Sequence, residues 1–398
     1  MSVFGKIIKF NSDRDPSLLK VKFDRMSVSP FAFFRGTNHL FVDIWSDLSP
    51  PAPGPSILIC GDLHVENFGA FRTENGNWCF GINDFDDASI AACSMDIVRC
   101  ASSILLAAVD WKLSPVDAAG LVLIFLDEYR ATIVESQHSN KIGRVDNEDG
   151  KNLIGRVLGS HRFESHKRMI AGLTNRRGNK IRRDKRLRPA LFEWLAARIK
   201  SDVQDYLQSK KDLGGYCALD VTGRIAGIGS VGNERYVALI ATQAKKGKRL
   251  LDIKLAVQSP ISDASKQAAY YSTEAERIVI AQRQIQGENT VGLDFAEFQS
   301  KSFRVREMVP DENRCQIDCF REKPTRLSAA LKVIGRVVGW SQLRGAKFGT
   351  FDRQGELENW ARGANLDAVL KSSVRYAKRT TEDLSEFTHA YRRERLHR

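Results

Sequence analysis

The sequence lacks an apolar run long enough to cross a membrane. A bilayer span needs about 20 consecutive apolar residues, and the longest run near the middle of the chain is Ala118–Leu126. The N-terminal stretch also lacks the long apolar segment and small-residue cleavage site of a secretory signal. We therefore expect no membrane insertion and a cytoplasmic protein.

Cysteines are few, and their spacing is irregular. The chain has seven Cys, an odd number. Cys315 and Cys319 lie close together, but no second pair of Cys or His residues completes a zinc site. Free thiols in a reducing compartment are the expectation.

Acidic residues are fewer than basic ones, and the excess is concentrated. Lys and Arg number 61 against 48 Asp and Glu, which gives a formal net charge of +13. Arg176–Arg188 holds eight of these Lys and Arg residues and one Asp. Because this run has no aromatic residue to stack on a base, a solvated loop or helix face is favoured over a site for nucleic acid or another polyanion.

Two short apolar strands that end in polar clusters are the most informative feature of the sequence. Ile57–Cys60 turns at a Gly and is followed by Asp62 and, after four intervening residues, Asn67. Trp78–Ile82 is the second strand and ends in Asn83–Asp87, which contains three Asp. Carboxylates and an amide gathered at strand ends predict a site for magnesium and phosphate.

Each of these side chains has a role that phosphoryl transfer requires. The reaction needs an acceptor for the proton of the substrate hydroxyl, and it needs oxygen ligands for a metal. Asp62 is the candidate proton acceptor, Asn67 and Asp84 are candidate metal ligands, and Asp86 is a further one. An acidic turn without a ligand is less favoured because close carboxylates repel unless a cation compensates them.

A glycine-rich stretch in the second half of the chain predicts phosphate binding. It has the pattern GxGxxG, and its candidate residues are Gly227, Gly229, Ser230 and Gly232. A strand rather than a helix is expected to follow it, which argues against a dinucleotide fold. A glycine-rich hairpin can cover nucleotide phosphates with its N–H groups; the alternative is a hairpin without a ligand.

Lys254 lies on the next expected strand. A kinase uses a Lys at this point to hold the α- and β-phosphates, whereas an isolated Lys on a strand is ordinarily just exposed. A Glu on the following helix should orient the Lys, and Glu276 and Glu274 are both candidates.

Hydrophobic periodicity predicts the secondary structure in outline. Residues 1–30 are interpreted as irregular, and loops are expected at Ser49–Pro55 and Gln137–Lys151. The expected helices are Thr37–Leu48, Asp96–Trp111, Pro115 to about Ser136, Pro189–Leu207, Ser262–Gln286 and Leu327–Lys347, with more helix in the polar remainder. The expected strands of the second half are Ile225–Gly227, Tyr236–Ala241, Leu250–Leu255 and Phe303–Val309.

The combined motifs resemble the protein-kinase-like superfamily, particularly the aminoglycoside and choline phosphotransferases. Those proteins have a Gly-Asp-x-His-x-x-Asn loop, matched by Gly61–Asn67, and a strand ending in Asp-Phe-Asp, matched by Asp84–Asp86. Asp96 is similar to the later Asp that braces their catalytic loop. The chain resembles more closely the bacterial family of domain of unknown function 2252, through these motifs and through Ser29–Gly36, Gly227–Gly232 and Gln282-Arg283.

The resemblance implies a two-lobed α+β fold of the protein-kinase type that is circularly permuted, because the catalytic loop precedes the glycine-rich loop. Residues 1–214 would form a mainly helical catalytic region. Residues 215–325 would form a small nucleotide-binding region with an antiparallel sheet, and residues 326–398 would return to the catalytic region. The chain departs from its relatives at Ile280 and Ala281, where they tend to have a Glu.

The implied function is transfer of the γ-phosphoryl group of ATP, with Mg²⁺, to an unidentified hydroxyl acceptor. Arg35 is expected to contact substrate or phosphate, or to be a structural loop residue, and His64 to brace the loop. A nucleotide-binding pseudokinase, AMP transfer to a protein and a nucleic-acid-binding protein are the alternatives. The sequence does not identify the acceptor.

Overall fold

The fold is described from a computed structural model. It covers residues 1–48, 52–148, 150, 152–160, 166–242, 247–261, 270–310, 317–321, 323–363 and 365–396. Part of the expected loop Ser49–Pro55 lies outside these residues. The expected helix start at Ser262 and Cys315 also lie outside them. The protein is mixed α+β with antiparallel sheets, as the sequence predicts.

Helices dominate the first and last thirds of the chain. They are α1 (Val3–Phe10), α2 (Pro16–Met26), α3 (Pro30–Gly36), α4 (Asn38–Asp43), α5 (Trp45–Leu48), α6 (Cys93–Asp110), α7 (Pro115–Ser139), α8 (Leu153–Ser160), α9 (His166–Leu173), α10 (Glu193–Ser209), α11 (Glu274–Gln286), α12 (Pro324–Gly345), α13 (Gln354–Arg362) and α14 (Asn365–Leu396). None of these helices, within the described residues, is long and apolar enough to span a membrane.

The strands form small antiparallel sheets. They are β1 (Ser56–Ile59), β2 (Phe68–Arg72), β3 (Trp78–Ile82), β4 (Ser89–Ala92), β5 (Val145–Asp146), β6 (Tyr216–Gly223), β7 (Arg235–Thr242), β8 (Lys248–Leu255), β9 (Asp294–Phe298), β10 (Lys301–Glu307), β11 (Lys347–Phe348) and β12 (Phe351–Asp352). β1 pairs with β4, and β3 lies between β2 and β5.

The largest sheet has five strands in the order β6-β7-β8-β10-β9. Helix α10 packs on one face, where Ile199 and Val203 meet Ile240 and Ile253. On the other face Ile181 packs against β7 and β8. Both faces are covered, so the apolar run of β7 is continuous rather than strictly alternating, whereas Asp252 and Lys254 interrupt the apolar run of β8.

A second, larger core joins the helices to the small sheets. Helices α6 and α12 pack against β1, α7 packs against both of these helices, and α11 contributes Ala275, Ile278, Ala281 and Ile285 to the same core. Because α11 also contacts β9 and β10 of the five-stranded sheet, it connects the two regions. The helical predictions for this core are confirmed: Ser114 caps α7, its Oγ accepting from the N–H of Asp117 at 3.1 Å.

The prediction that residues 1–30 are irregular is wrong. Ser2 caps α1 and Asp15 caps α2, which has Pro16 at its first position. Val3, Ile7 and Phe23 are buried against Phe387 of α14. These helices are stabilised by a partner from the far end of the chain, and sequence periodicity does not report such a partner.

Two further predictions need correction. Ile225–Gly227 lies in the loop after β6 and is not a strand, and the strand itself is Tyr216–Gly223. The polar segment expected to be a loop between α7 and α8 contains the short strand β5, which pairs with β3. Cys60, Cys79, Cys93, Cys100 and Cys217 are free thiols, as expected.

Candidate active-site cleft

The loop after β1 is held in one conformation by a buried carboxylate. Gly61 has φ +86°, and a Cβ there would lie 2.0 Å from the carbonyl oxygen of Asp87, so a side chain cannot be accommodated. Asp96, at the start of α6, accepts from the N–H groups of Cys60 and Gly61 at 2.8 Å each. The expected bracing contact from Asp96 to this loop is present.

We expect Asp96→Ala to lower the free energy of unfolding by about 2–5 kcal/mol, because two buried N–H groups lose their acceptor. Urea unfolding of the full chain measures this change. Asp205→Ala is the matched control, since Asp205 is an exposed Asp on α10, and it should change stability by less than about 0.5 kcal/mol. Equal stabilities of the two variants would contradict the bracing role.

Asp62 lies against a buried guanidinium. Arg99 is fully buried and donates to Asp62 Oδ1, and its guanidinium packs over the ring of Phe34 at 4.1 Å. Burial raises the pKa of the Asp62 carboxyl to about 7; Arg99 lowers it, while Asp87 and Asp84 raise it further. A carboxyl with a pKa near neutrality and 24% side-chain exposure suits a proton acceptor.

Asn67 and Asp84 lie beside Asp62. The Asn67 amide nitrogen donates to the backbone carbonyl of Asp62 at 2.5 Å, which leaves its amide oxygen available to a cation. Strand β2 begins directly after Asn67 and pairs with β3, and Asp84 follows β3. The N–H of Asn83 donates to the Asn67 carbonyl at 2.8 Å. The hairpin of β2 and β3 thereby joins the two polar clusters.

Asp84 is ionised in this environment. Burial raises the pKa of its carboxyl, but Lys254, Arg304 and Arg306 lower it more strongly, to about 2. Its Oδ1 is buried and has no hydrogen-bond partner among the described residues, and the same holds for Oδ1 of Asp86. Asp84 lines a cavity, and an ionised carboxylate with an oxygen that has no partner fits a metal ligand.

The candidate metal ligands of the cleft are Asn67, Asp84 and Asp86. Within the described residues no group of three or more His, Cys, Asp and Glu side chains could hold a metal ion. Magnesium is commonly held by one or two carboxylates together with waters and substrate phosphates. Asn67 and Asp84 can supply two such ligands, whereas Asp86 is engaged by Lys254.

His64 and Arg35 support the loop. Burial lowers the pKa of His64 well below its ordinary value, and its Nδ1 accepts from the N–H of Glu66 at 3.2 Å. This neutral, buried His matches the bracing interpretation. Arg35 forms an ion pair with Glu66 and lines the cleft, so it has a structural partner and access to a ligand.

The glycine-rich loop and Lys254 face the acidic clusters across one cavity of about 110 Å³. Gly227, Gly229 and Ser230 line it, and Lys254 extends from β8 to the Asp86 carboxylate. Gly232 has φ +92°, a conformation that a side chain rarely adopts. Residues from both halves of the sequence therefore meet in one cleft.

Glu276 is not among the residues that line this cleft, which corrects its expected role as the partner of Lys254. It lies in the first turn of α11, where its carboxylate accepts from the N–H of Ser272 at 2.6 Å and Thr273 caps the helix. Glu274 pairs with Arg277 of the same helix. The carboxylate that meets Lys254 is Asp86, from the acidic cluster after β3.

Arg277 is an important residue that the sequence motifs did not single out. Its buried guanidinium donates to the carbonyl of Ala88 at 2.5 Å, of Asp86 at 2.7 Å and of Val257 at 3.1 Å. It thus ties α11 and the segment after β8 to the acidic turn. The sequence signal that could have identified Arg277 is its charge on the apolar face of an expected helix.

A second cavity of about 210 Å³ adjoins the cleft under the five-stranded sheet. Asp252 lines this cavity. Its side chain is fully buried and accepts two hydrogen bonds from Arg235, of 2.8 and 2.7 Å. Arg224, Arg304 and Arg306 surround the same carboxylate at 3.1, 3.3 and 3.5 Å. This arginine cluster is polar and buried, and its members are scattered in sequence over three strands and a loop.

The basic run is ordered by its own contacts. Arg183 forms two hydrogen bonds of 2.9 Å with the Asp220 carboxylate, and Arg182 Nε donates to the Thr174 carbonyl at 2.7 Å. Ile181 anchors the run to the sheet. Part of its charge therefore serves the local fold, which agrees with the favoured solvated-surface interpretation.

The fold and cleft define a class: an α+β protein in which a helical region and an antiparallel sheet enclose a polar cavity. The chain belongs to a bacterial family, because the family model described as "Uncharacterized protein conserved in bacteria (DUF2252)" matches residues 14–390. The resemblance to that family is thus confirmed. No curated protein and no solved structure matched the chain in the corresponding searches.

Proposed function

We propose that this protein is an ATP- and magnesium-dependent phosphotransferase that moves the γ-phosphoryl group to a hydroxyl acceptor. The observation that carries the proposal is the shared cavity, in which Asp62, Asn67 and Asp84 face Lys254 and Gly227–Ser230. A proton acceptor, metal ligands and phosphate-binding groups are the parts that phosphoryl transfer requires.

Each side chain has a separate task in this proposal. Asp62 takes the proton of the acceptor hydroxyl, and Arg99 holds the Asp62 carboxylate in place. Asn67 and Asp84 would hold magnesium, which supplies positive charge to the phosphate oxygens. Lys254 exchanges the Asp86 carboxylate for a phosphate when the nucleotide binds.

The proposed fold is a circularly permuted protein-kinase-like fold. A kinase has the order glycine-rich loop, Lys, catalytic loop and metal Asp, whereas here Asp62 and Asp84 precede Gly227–Gly232 and Lys254. The first and last helices support a permutation, because the N–H of Val3 donates to Glu386 at 2.7 Å. Permutation is tolerated where the joined ends lie together at the surface.

An adjoining open cavity of about 600 Å³ is the proposed acceptor site. It shares Phe10 and Arg14 with the cleft and is also lined by Lys6, Lys9 and His39. The size suits a small molecule, since ligand cavities commonly measure about 300–1,000 Å³. The acceptor is therefore proposed to be a small hydroxyl compound.

AMP transfer is the second candidate, and the arginine cluster favours it. In a kinase the base would occupy a mainly apolar pocket, but here the inner cavity is lined by Arg224, Asp252 and Arg306. A polar wall would suit the phosphate end of a nucleotide bound in the inverted direction. The two reactions differ in the group that is added to the acceptor.

Calorimetry with ATP and Mg²⁺, followed by intact-mass analysis and a phosphate-release assay, tests the proposal. A phosphoryl adduct or phosphate release supports phosphotransfer, and an adenylyl adduct supports AMP transfer. Binding without turnover across a substrate library would favour a pseudokinase. A wild-type chain that binds no nucleotide would contradict all three.

The raised pKa of Asp62 predicts the pH dependence of turnover. The carboxyl must be deprotonated to take a proton, so kcat/KM should rise with pH, reach half its limit at about 7 and fall as pH drops below that value. A pH–rate profile of the wild-type chain measures this. A rate limited by another step would be flat between pH 6 and 8, about one unit either side of the expected pKa.

A further inference from the structure

Three cations from the N-terminal helical layer hold the glycine-rich loop by its carbonyl oxygens. Arg14 donates to the carbonyls of Gly229 and Val231 at 2.5 and 2.8 Å. Lys22 donates to Gly229 at 2.7 Å and to the preceding carbonyl at 3.2 Å. Arg25 donates to Gly227 at 2.7 Å.

The loop is also anchored by packing. Ile228 packs against the apolar cluster that contains Phe23, Met26 and Phe33. A Cβ on Gly232 would lie 2.9 Å from Cβ of Arg14, and the carbonyl of Gly232 accepts from the N–H of Asp15 at 3.0 Å. The loop thus fits closely against the start of α2 and cannot shift independently of it.

Holding the carbonyls determines where the N–H groups point. In a trans peptide the C=O and the following N–H are fixed in opposite directions, so the contacts made by Arg14, Lys22 and Arg25 orient the N–H groups of residues 228, 229, 230 and 232. None of these four N–H groups donates to an acceptor within the described part of the chain. Residues 228, 229 and 230 line the cavity, so their N–H groups are unused donors beside it, and phosphate oxygens are suitable acceptors for such groups.

Lys22 is buried in a way that lowers the stability of the fold, so a purely structural role does not account for it. It is fully buried, and burial lowers the pKa of its ammonium well below the ordinary value. Among the described residues it forms no ion pair, only the two bonds to loop carbonyls. A buried ammonium without a carboxylate partner destabilises a fold, whereas Lys20 on the same helix is exposed and pairs with Asp24.

We propose that Arg14, Lys22 and Arg25 are positioning residues that orient the N–H groups of the glycine-rich loop toward the polyphosphate of a nucleotide. This inference rests on the proposed function, because it assigns the phosphates to the same cleft. It links nucleotide affinity to residues near the start of the chain. The positive charge of Arg14, which lines the cavity, adds to the attraction for phosphate.

The test compares Lys22→Met and Arg25→Gln with Lys20→Met in the full chain. Calorimetry with Mg·ATP, Mg·tripolyphosphate and adenosine gives the affinities, and hydrogen exchange reports the amides of Val231 and Asn233, which donate to carbonyls of the loop. We expect Lys22→Met to weaken binding of Mg·ATP and tripolyphosphate by about tenfold or more and to leave adenosine binding unchanged. The amides of Val231 and Asn233 should exchange faster in Lys22→Met and Arg25→Gln, and Lys20→Met should match wild type.

Arg25 is half-buried and its bond to Gly227 lies at the surface, so Arg25→Gln should retain the fold even where Lys22→Met fails to fold. Wild-type affinity for both phosphate ligands in Arg25→Gln and Lys22→Met would overturn the inference while leaving the proposed function intact. An equal loss for adenosine would also overturn it, because that result indicates general disruption of the site. A wild-type chain that binds neither phosphate ligand would contradict the proposed function as well.

Discussion

Asp84→Ala is expected to abolish magnesium-dependent nucleotide binding. The substitution removes the ionised carboxylate whose Oδ1 is buried and lacks a hydrogen-bond partner in the described part of the chain. Lys254, Arg304 and Arg306 keep this carboxyl ionised. When its negative charge is removed, the positive charge of these three residues still attracts phosphate, but the cavity no longer holds a cation. Affinity for ATP should therefore lose its dependence on Mg²⁺.

The measurement is calorimetric titration of ATP with and without Mg²⁺. Wild type should bind about 10- to 100-fold more tightly with the metal present, the range for a charged ligand contact of about 1.5–3 kcal/mol. Asp84→Ala should show no difference between the two conditions. Asp212→Ala is the control, because Asp212 is exposed, and it should retain the full metal effect. A metal effect of wild-type size in Asp84→Ala would exclude Asp84 as the ligand.

Asp62→Asn should lower turnover by about 10²- to 10⁴-fold, the usual contribution of a positioned base, while nucleotide affinity stays close to wild type. The amide keeps an oxygen that accepts from Arg99, so the loop retains its conformation. It cannot take a proton. The expected result is thus a loss in kcat rather than in binding.

Steady-state turnover and calorimetry on the same preparation separate these quantities. Glu66→Gln is the comparison, because it neutralises a carboxylate on the same loop that pairs with Arg35. It should change kcat by less than about tenfold, the effect expected of a group outside the proton transfer. A large loss of ATP affinity in Asp62→Asn would instead indicate that Asp62 is a metal ligand.

The contact between Lys254 and Asp86 has a consequence for nucleotide binding. In the structure the Lys side chain is buried and its charge is balanced by Asp86. A bound phosphate would compete with that carboxylate, and release of Asp86 would add a second oxygen ligand beside Asp84. Oδ1 of Asp86 has no hydrogen-bond partner among the described residues, which is consistent with this exchange, and we propose Asp86 as a metal ligand only for the nucleotide-bound state.

The arginine cluster bears on the choice between the two proposed reactions. Four Arg side chains surround Asp252, which is two residues before Lys254 on β8. Because side chains two apart on a strand share a face, the cluster and Lys254 lie on the same side of the sheet. Whichever end of the nucleotide enters this region meets a strongly polar wall, so the product mass in the assay decides the direction of binding.

Local sequence determined much of what the cleft contains. The apolar runs before Asp62 and Asp84 are strands, Ser114 starts α7, and the glycine-rich loop lies between two strands, because capping, turn chemistry and periodicity act over a few residues. The same local patterns predicted that the polar groups at the two strand ends, Asp62, Asn67 and Asp84, belong to one site. Family membership followed from the motifs together.

Only the tertiary structure decided which distant groups meet. Lys254 contacts Asp86 rather than a Glu of α11, since Glu276 is used in capping its own helix. The hold of Arg14, Lys22 and Arg25 on the glycine-rich loop joins residues more than 200 positions apart. Such contacts have no local period; they arise because the core fixes where each helix and strand lies, and charge and burial then select the partners.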